Sequence, residues 1–331
     1  MELLMIGGSG HFGYALEGAQ ARGDVRIAAM APGTDGEDLS ALEDALAACG
    51  MAPRVYQSAQ AMLSAERADV AVINPWYCDN ARWAIECLRR GLHVYSEKPL
   101  ATEVRQLNAL DAAWRASGRA LGGMFDLRCA PWFRAIESAV AAGAIGAVRM
   151  IHGRKSYKLG ERGPLYRRRD RYGGMLPWVG VHAIDLILAL GGPCDGVMAA
   201  QSDRGNRGHG ELEMSAATIL RLSGGAIGTV TADYLRPGGA PRHDDDRLMV
   251  TGDLGFLEAA DGVAYIEDAG PRRPLPLPDR QPPLLRFLNA IGTPDAADQA
   301  EQALAASRAA LAARRAGDEK RYVQISSTWE G

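Results

Sequence analysis

The first third of the chain alternates short, mostly apolar runs with longer stretches of helical periodicity. The apolar runs cover residues 2–7, 25–30, 70–73 and 93–96, and glycine, proline or polar residues follow each of them closely. Runs this short are typical of strands buried on both faces, whereas the stretches between them are long enough for helices. Strands that alternate with helices at this rhythm predict a parallel, doubly wound α/β sheet.

The rhythm changes at residues 121–123, where we place a domain boundary. Longer runs of alternating polarity follow and predict an α+β domain with a large, mostly antiparallel open sheet; they cover residues 148–157, 214–222, 226–234 and 247–251. Helices are expected at 132–142, at 181–190 and, after a proline-rich connector, at 295–316. We therefore expect domains over residues 1–121 and 122–331, with the last helix packing back on the fold.

Three glycines directly follow the first predicted strand. Gly8, Gly10 and Gly13 have the spacing Gly-x-Gly-x-x-Gly and precede a helix that we expect to end near residue 21. In a Rossmann dinucleotide-binding domain such glycines permit a tight turn, let the backbone approach the pyrophosphate and allow close helix packing on the sheet. The position after an amino-terminal strand predicts a cofactor site at these glycines and at His11 and Phe12 between them.

The end of the second predicted strand leaves the choice between NAD and NADP open. An Asp or Glu about 20 residues beyond the glycines holds the adenosine ribose of NAD, but residues 31–33 read Ala-Pro-Gly. No arginine follows directly to indicate NADP. The candidates for the ribose contact are Thr34, Asp35, Glu37 and Asp38. The last two also suit capping of the next helix.

Three predicted strands end in groups suited to a binding site. Gly8 follows the first strand, Asn74 and Pro75 follow the run 70–73, and Glu97 and Lys98 follow the run 93–96. Ligands bind beyond the carboxyl ends of strands in a doubly wound sheet, so we expect these groups to converge. Lys98 is the candidate reactive group, because the chain has four lysines among 37 basic residues and the pKa of lysine is tunable. A simple ion pair with Glu97 is the alternative.

Three stretches resemble the Gfo/Idh/MocA family of nicotinamide-dependent oxidoreductases. They are residues 8–13 (Gly-Ser-Gly-His-Phe-Gly), 91–99 (Gly-Leu-His-Val-Tyr-Ser-Glu-Lys-Pro) and 173–185 (Gly-Gly-Met-Leu-Pro-Trp-Val-Gly-Val-His-Ala-Ile-Asp). The second and third stretches in this order are specific, and a weaker likeness extends over nearly the whole chain. The resemblance implies a second domain whose sheet carries the substrate site on one face and commonly an oligomer interface on the other.

The resemblance also implies the catalytic groups. Lys98 matches the family's lysine near the nicotinamide and the substrate hydroxyl, in a lysyl-prolyl peptide that is often cis there. His182 matches the second acid-base group, and Asp185 lies one helical turn beyond it. Trp178 stands where many members have an aspartate. Tryptophan cannot exchange a proton, so a relay uses Lys98 and His182 alone or recruits Asp126 or Asp185, while the indole suits stacking on a sugar ring.

The candidate substrate-binding residues fall in the second domain. Five arginines precede residues 173–174, and their forks suit carboxylate or phosphate, although a solvated loop is the simpler interpretation; they are Arg162, Arg167, Arg168, Arg169 and Arg171. The full set of candidate substrate contacts is Asp126, Arg128, Arg167, Arg171, Trp178 and Asp185.

These features predict an NAD(P)-dependent oxidoreductase that acts by hydride transfer on a secondary hydroxyl of a sugar, polyol, sugar acid or related small molecule. Two alternatives stay open. One is a glycosidase or lyase that uses bound NAD for transient oxidation, and the other is a non-catalytic regulator that senses a ligand. The presence of Lys98 and His182 favours an enzyme over the regulator.

Composition narrows the partners and the compartment. The 331 residues are 47% hydrophobic and 23% charged, as in ordinary globular proteins with two domains. A net charge of −3 without a basic helix argues against nucleic acid. We expect no membrane segment, since no signal-type start and no apolar run near the spanning length stands out. Five separated cysteines without a Cys-x-x-Cys pair predict reduced thiols in the cytoplasm and no metal site. The resemblance adds a homo-oligomer, a dimer or tetramer.

Overall fold

The computed structural model describes residues 1–325 and divides the chain into two compact units. The first unit comprises Met1–Met124 and Gln281–Leu304, and the second comprises Phe125–Arg280 and the chain from Ala305 onward. The expected second domain covers residues 122–331, of which 326–331 lie outside the described residues. The structure differs from this expectation because it returns Gln281–Leu304 to the first unit.

The first unit is built on a six-stranded parallel sheet. Its strands and helices are, in chain order, β1 (Glu2–Ile6), α1 (Gly13–Ala21), β2 (Arg26–Ala31), α2 (Ser40–Ala48), β3 (Arg54–Val55), α3 (Ala59–Ala65), β4 (Val70–Ile73), α4 (Asn80–Arg89), β5 (His93–Ser96), α5 (Val104–Ser117) and β6 (Leu121–Gly123). The strand order β3-β2-β1-β4-β5-β6 is that of a doubly wound dinucleotide-binding sheet. The predicted fold class of this domain is confirmed.

The switch point of this sheet lies between β1 and β4, where the direction of winding reverses. Both strands are almost wholly apolar and buried, because helices cover both faces of such a sheet. Ile6 at the end of β1 pairs with Ile73 at the end of β4. The segments that follow these two strands, beginning with Gly7 and Asn74, therefore lie side by side.

The second unit is built on a nine-stranded, mostly antiparallel sheet, as predicted. The elements after β6 are, in chain order, α6 (Pro131–Ala141), β7 (Val148–Lys158), α7 (Arg169–Tyr172), α8 (Val181–Gly191), β8 (Cys194–Ser202), β9 (Ser215–Leu222), β10 (Ile227–Arg236), β11 (Asp244–Gly252), β12 (Phe256–Ala260), β13 (Val263–Glu267), β14 (Arg273–Pro274), α9 (Pro283–Ala290), α10 (Asp295–Glu319) and β15 (Val323–Gln324). The strand order is β14-β13-β12-β11-β7-β10-β9-β8-β15, and β7 pairs with β10 in parallel. Helix α8 lies so close to β7 that a Cβ at Gly153 would approach the Ala183 side chain to 2.9 Å.

Hydrophobic contacts explain why the chain returns to the first unit at α9. Leu284 of α9 fills the space beside Gly18, where an added Cβ would lie 2.7 Å from it. Phe287 stacks on Tyr95 of β5 with 5.2 Å between ring centroids. Both α9 side chains are buried in the same core as β1, β2 and β4. The amphipathic pattern of α9 does not reveal which core its apolar face joins, so the sequence assigned residues 281–304 to the other domain.

One helical stretch of the second unit has the length and composition of a membrane-spanning helix. It covers Arg169–Gly191, 23 residues whose most apolar window has a mean hydropathy of 1.5. The sequence analysis expected no run of this kind. Because 83% of that window is buried inside the structure, the stretch has the surroundings of a core helix.

The cap of α5 is Glu103, in a capping box with Gln106. The Glu103 amide donates to Gln106 Oε1 at 3.1 Å, and the hydroxyl of the preceding Thr102 donates to the same oxygen at 3.2 Å. Gly118 ends the helix in the left-handed region with φ +63°.

Two glycines of the turn after β1 have no room for a side chain. Gly7 has φ +85°, and a Cβ there would lie 2.3 Å from the Pro75 nitrogen. Gly10 has φ +66°, and its Cβ would lie 2.1 Å from Glu97 Oε2. At Gly13, by contrast, no heavy atom of the described residues, apart from its chain neighbours and its own helix backbone, comes within 4 Å of the Cβ position. The close helix packing expected at Gly13 is therefore not observed; the crowded positions are Gly7 and Gly10.

We expect Gly10→Ala to lower the free energy of unfolding by about 1–3 kcal/mol, because alanine is strained in the left-handed region and its Cβ meets a buried carboxylate. Gly13→Ala is the matched control and should change stability by less than about 0.5 kcal/mol, since its Cβ meets open space. Urea unfolding of both variants measures the difference. Equal stability of the two variants would contradict the packing described at Gly10.

Candidate active site

Two carboxylates hold the glycine turn that follows β1. Glu37 accepts hydrogen bonds from the Gly8 amide at 3.1 Å and from the Ser9 hydroxyl at 3.0 Å. Glu97, which is fully buried, accepts from the His11 backbone amide, and its Oε2 lies 2.8 Å from His11 Nδ1. Side chains from the segments after β2 and β5 thereby fix the turn at both ends.

The Glu97–Lys98 segment at the end of β5 is buried and braced. Burial raises the pKa of the Glu97 carboxyl, but the His11 ring and the Lys98 ammonium outweigh this effect and hold that pKa below its usual range. Lys98 is 1% exposed, and its peptide bond to Pro99 is cis, as the resemblance implied. The Asn80 side chain donates to the carbonyl oxygens of Glu97 at 3.1 Å and of Pro99 at 2.8 Å. These bonds fix the backbone on both sides of Lys98.

Hydrogen bonds join the three strand ends that were expected to converge. The Ser9 amide donates to the Asn74 carbonyl at 2.7 Å, and the Asn74 side chain donates to the Ser9 carbonyl at 3.1 Å. The Glu97 amide donates to the carbonyl of Ile73 at 2.8 Å, and Glu97 itself reaches His11. The glycine turn, Asn74 and Glu97 therefore form one connected group within the first unit.

The glycine turn and the start of α1 fit the diphosphate of a dinucleotide. The first turn of α1 reads Gly-Tyr-Ala-Leu and carries no acidic residue. Gly13 is exposed, with the open space described above at its Cβ position. Backbone amides and the dipole at a helix amino end favour an anion there. The residues that would surround this group are Gly8, Gly10, His11, Phe12 and Gly13.

Glu37, rather than Thr34, lies against the glycine turn. The Thr34 hydroxyl donates to Asp79 Oδ2 at 2.8 Å and accepts from the Trp76 amide at 3.3 Å. Burial raises the pKa of the Glu37 carboxyl, and hydrogen bonds from backbone amides partly offset that rise. The sequence left Thr34 and Glu37 open as contacts of the cofactor, because both residues lie in one loop and spacing does not show which side chain turns back.

His182 of the second unit lies at the start of α8 and is 1% exposed. Its Nδ1 is 3.6 Å from Asp126 Oδ1, and the Phe125 ring meets it edge-on at 6.4 Å between centroids. The Asp126 side chain is 29% exposed and begins a short 3₁₀ turn. Asp126 is thus one of the two carboxylates suggested by the sequence, and it lies beside the predicted catalytic histidine.

The other suggested carboxylate, Asp185, is held by Arg128. Arg128 Nε donates to Asp185 Oδ2 at 2.7 Å and Nη2 donates to Oδ1 at 3.0 Å. The two side chains are 5% and 3% exposed. A two-pronged pair of this kind uses both oxygens of the carboxylate. Asp185 and Arg128, both expected to bind substrate, instead connect α8 to the 3₁₀ turn that carries Asp126.

Trp178 belongs to a set of four aromatic side chains in the second unit. We call Tyr157, Tyr166, Trp178 and Tyr234 the aromatic group. Trp178 is 7% exposed and lies 5.8 Å from Tyr166, and Tyr157 lies 6.2 Å from Tyr234 between ring centroids. The Arg162 guanidinium lies over Tyr234 at 4.4 Å and over Tyr166 at 5.4 Å. Much of the Trp178 ring is therefore covered by this unit's own side chains.

Lys155 is a buried charge next to this aromatic group that the sequence analysis did not assign. It is 4% exposed, and its Nζ lies 2.6 Å and 2.7 Å from the two carboxylate oxygens of Asp246. The ammonium also lies 5.0 Å from the centroid of the Tyr157 ring. Burial lowers the pKa of Lys155, but Tyr157 and Asp246 outweigh this and raise it. The scarcity of lysine that pointed to Lys98 was an equal signal for Lys155.

The five arginines before residues 173–174 lie in different surroundings. Arg168 and Arg169 form ion pairs with Asp or Glu side chains of the same unit at 2.6 Å and 2.8 Å. Arg167 is exposed and Arg171 is half-buried. Arg162 is the member of this segment whose guanidinium lies over the aromatic group, although the sequence analysis selected Arg167 and Arg171.

Two family models match the chain. A model described as an oxidoreductase family with an NAD-binding Rossmann fold matches residues 3–123. The model of the GFO/IDH/MocA C-terminal domain matches residues 133–258. The two matches occur in the order of the two sheets.

Similar proteins extend these matches over the whole chain. A solved structure from Thermotoga maritima, described as an oxidoreductase, has 35% identity and a TM-score of 0.92 and covers 98% of this chain and 100% of its own. Levoglucosan dehydrogenase in complex with NADH has a TM-score of 0.81 over 98% of this chain and 99% of its own; at 17% identity it shares the fold. The D-apiose dehydrogenase of Paraburkholderia graminis is 29% identical over 198 residues, 56% of this chain and 51% of that enzyme. The match thus spans about half the length of that curated relative.

The family assignment rests on agreement between independent features. The strand order of the first sheet, the large mixed sheet of the second unit, both family models and the full-length similarity at 35% identity point the same way. The chain belongs to the Gfo/Idh/MocA family of oxidoreductases and carries its NAD-binding Rossmann domain.

Proposed function

We propose that this protein is an NAD(P)-dependent dehydrogenase that oxidises a secondary hydroxyl of a sugar, polyol or related small molecule. The observation that carries the proposal is the hydrogen-bonded group formed by the glycine turn, Asn74 and Glu97 beside Lys98. It lies at the switch point of the first sheet, where dinucleotides bind in this fold. Similarity to D-apiose and levoglucosan dehydrogenases supports a sugar-like substrate.

The glycine turn is the proposed binding site of the dinucleotide. The amides at the start of α1 would hold the diphosphate, and Gly10 presents no side chain to obstruct it. When bound, the nicotinamide supplies the hydride chemistry. The residues of the chain then have two tasks, which are to orient the substrate and to move the hydroxyl proton.

Lys98 and His182 are the proposed proton-transfer groups. A positioned base contributes about 10²–10⁴-fold to such a step. Asp126, whose Oδ1 lies 3.6 Å from His182 Nδ1, would orient the imidazole and stabilise a positive charge on it, as the acid of a histidine–carboxylate pair does. Asp126 would thereby take the place of the aspartate that Trp178 replaces.

The aromatic group and its two cations are the proposed substrate contacts of the second unit. Aromatic rings offer apolar faces with polar edges, which suit the C–H faces of a sugar ring. Arg162, over Tyr234 and Tyr166, can pair with a carboxylate or hydroxyl. Lys155 holds a fixed positive charge beside Tyr157. This combination supports a sugar, polyol or sugar acid.

The proposal includes a homo-oligomer formed through the open face of the nine-stranded sheet. Ile227 pairs with Met150, and Ile219 pairs with Met198, so these side chains share one face. Each of the four is 43–53% exposed. A second copy of the chain placed on this face would remove the apolar surface from water.

Loss of either proton-transfer group should lower turnover. We expect Lys98→Met and His182→Ala each to reduce kcat by about tenfold or more, with NADH affinity less affected. Lys320→Met, which changes an exposed lysine after α10, is the control. A screen of sugars, polyols and sugar acids, followed by the absorbance of the reduced nicotinamide, measures this.

Three outcomes of that screen would overturn the proposal. Unchanged turnover in both variants would place the chemistry elsewhere. Reduction of bound cofactor without net accumulation of product would favour transient oxidation. No turnover by the parent protein on any compound would favour the ligand-sensing regulator.

Substitution of Asp126 should affect turnover, whereas substitution of Asp185 should affect stability. Asp126→Asn should lower kcat by about tenfold or more with little change in stability, because Asp126 is partly exposed. Asp185→Asn should destabilise the protein by about 3–5 kcal/mol, because it leaves the Arg128 charge buried without its partner. Parallel kinetics and urea unfolding test the split. A large loss of stability in Asp126→Asn with unchanged kcat would reverse the two roles.

A charge on the open face of the sheet should break the oligomer. We expect light scattering after size exclusion to give a dimer or tetramer for the parent protein and a single protomer for Ile219→Lys. Val55→Lys, which places the same charge at an exposed apolar position of the first unit, is the control and should leave the oligomer unchanged. A parent protein that runs as a single protomer at all concentrations would contradict this part of the proposal.

A further inference from the structure

The chain after β2 folds back so that one acidic side chain returns to the glycine turn. Residues 31–33 provide no acid at the end of the strand. The Glu37 amide then donates to the Thr34 carbonyl at 3.1 Å, which closes a turn of four residues. This turn directs the Glu37 side chain back towards Gly8 and Ser9, directly after β1.

Glu37 joins the two backbone segments that flank the start of a dinucleotide site. Its Oε1 accepts from the Gly8 amide at 3.1 Å and the Ser9 hydroxyl at 3.0 Å. Its Oε2 accepts from the Gly33 amide at 3.0 Å and the Thr34 amide at 3.3 Å. These four donors are neutral, so the carboxylate keeps a net negative charge in the site whenever it is ionised.

The other candidates for the ribose contact are placed differently. The Thr34 hydroxyl is engaged by Asp79 and by the Trp76 amide. Asp38 is exposed and accepts from the Ser40 amide at 2.9 Å, at the start of α2. Asp35 is exposed. Among these residues, Glu37 is the one whose carboxylate contacts the glycine turn.

We propose that Glu37 selects NAD over NADP because its charge repels a 2′-phosphate on the adenosine ribose. The inference rests on the proposed function, because it needs the dinucleotide at the glycine turn. A 2′-phosphate would meet the Glu37 charge, and the Gly33 and Thr34 amides that suit an anion are already bound to Glu37. Asp79, bound to the Thr34 hydroxyl, adds a second acid nearby.

The selecting acid is therefore displaced from the strand end into the following loop. A loop acid of this kind does two things at once. It braces the glycine turn through Gly8 and Ser9, and it presents its charge to the ribose. A test must separate bracing from selection, which the ratio of two binding constants does. Loss of bracing weakens the binding of NADH and NADPH by the same factor, whereas loss of selection changes the ratio of their dissociation constants.

Direct binding of NADH and NADPH to the full-length protein tests the inference without a substrate. The variants are Glu37→Gln, which keeps the length and removes the charge, and Asp38→Asn as the matched control. Isothermal titration gives both dissociation constants, and thermal unfolding checks that each variant is folded. We expect the parent protein and Asp38→Asn to bind NADH at least about tenfold more tightly than NADPH, and Glu37→Gln to reduce this ratio about tenfold, because the 2′-phosphate then meets no opposing charge at residue 37.

Each other outcome overturns a stated part of the account. Equal or tighter binding of NADPH by the parent protein overturns the selection by Glu37 and leaves the proposed dehydrogenase intact. A Glu37→Gln variant that weakens both cofactors equally shows a brace without selection and also overturns the inference. A folded parent protein that binds neither cofactor overturns the inference together with the proposed function.

Discussion

The pairing of the glycine turn with the carboxylates of Glu37 and Glu97 is the contact on which the first unit's site depends. A turn after a buried strand exposes backbone amides that need acceptors, and a buried carboxylate needs donors. Here each satisfies the other: Glu37 takes the Gly8 amide and Glu97 takes the His11 amide. Because Glu97 fills the space beside residue 10, that position has to be glycine. The same carboxylate receives the Lys98 amide, so the turn and the lysine are fixed by one side chain.

The second unit places a carboxylate beside His182 although Trp178 cannot supply one. Trp178 packs into the aromatic group. The carboxylate comes instead from the 3₁₀ turn, as Asp126, whose Oδ1 lies 3.6 Å from His182 Nδ1. The Arg128–Asp185 pair fixes that turn to α8, so a pair expected to bind substrate supports the geometry of His182. Lys155 and Asp246 add a buried ion pair beside Tyr157.

Much of the first sheet, and the positions of Lys98 and His182, could be predicted because their signals are local. A short apolar run followed within a few residues by glycine or proline identifies a buried strand and its end. The contacts that were missed join distant residues. Glu37 and Gly8 are 29 positions apart, and Lys155 and Asp246 are 91 apart. Helix α9 packs on the first unit, where Phe287 stacks on Tyr95. Local periodicity shows that α9 has an apolar face but not which of the two cores that face joins.

A crystal structure of the full-length protein grown with NADH tests the central claim most directly, because the claim concerns where the diphosphate lies and what holds the turn beneath it. The account predicts diphosphate density within hydrogen-bonding distance of the backbone amides of residues 10–13, with the Glu97 carboxylate still bound to the His11 amide. Diphosphate density away from this turn, or a turn released from Glu97 with the cofactor bound, would contradict it.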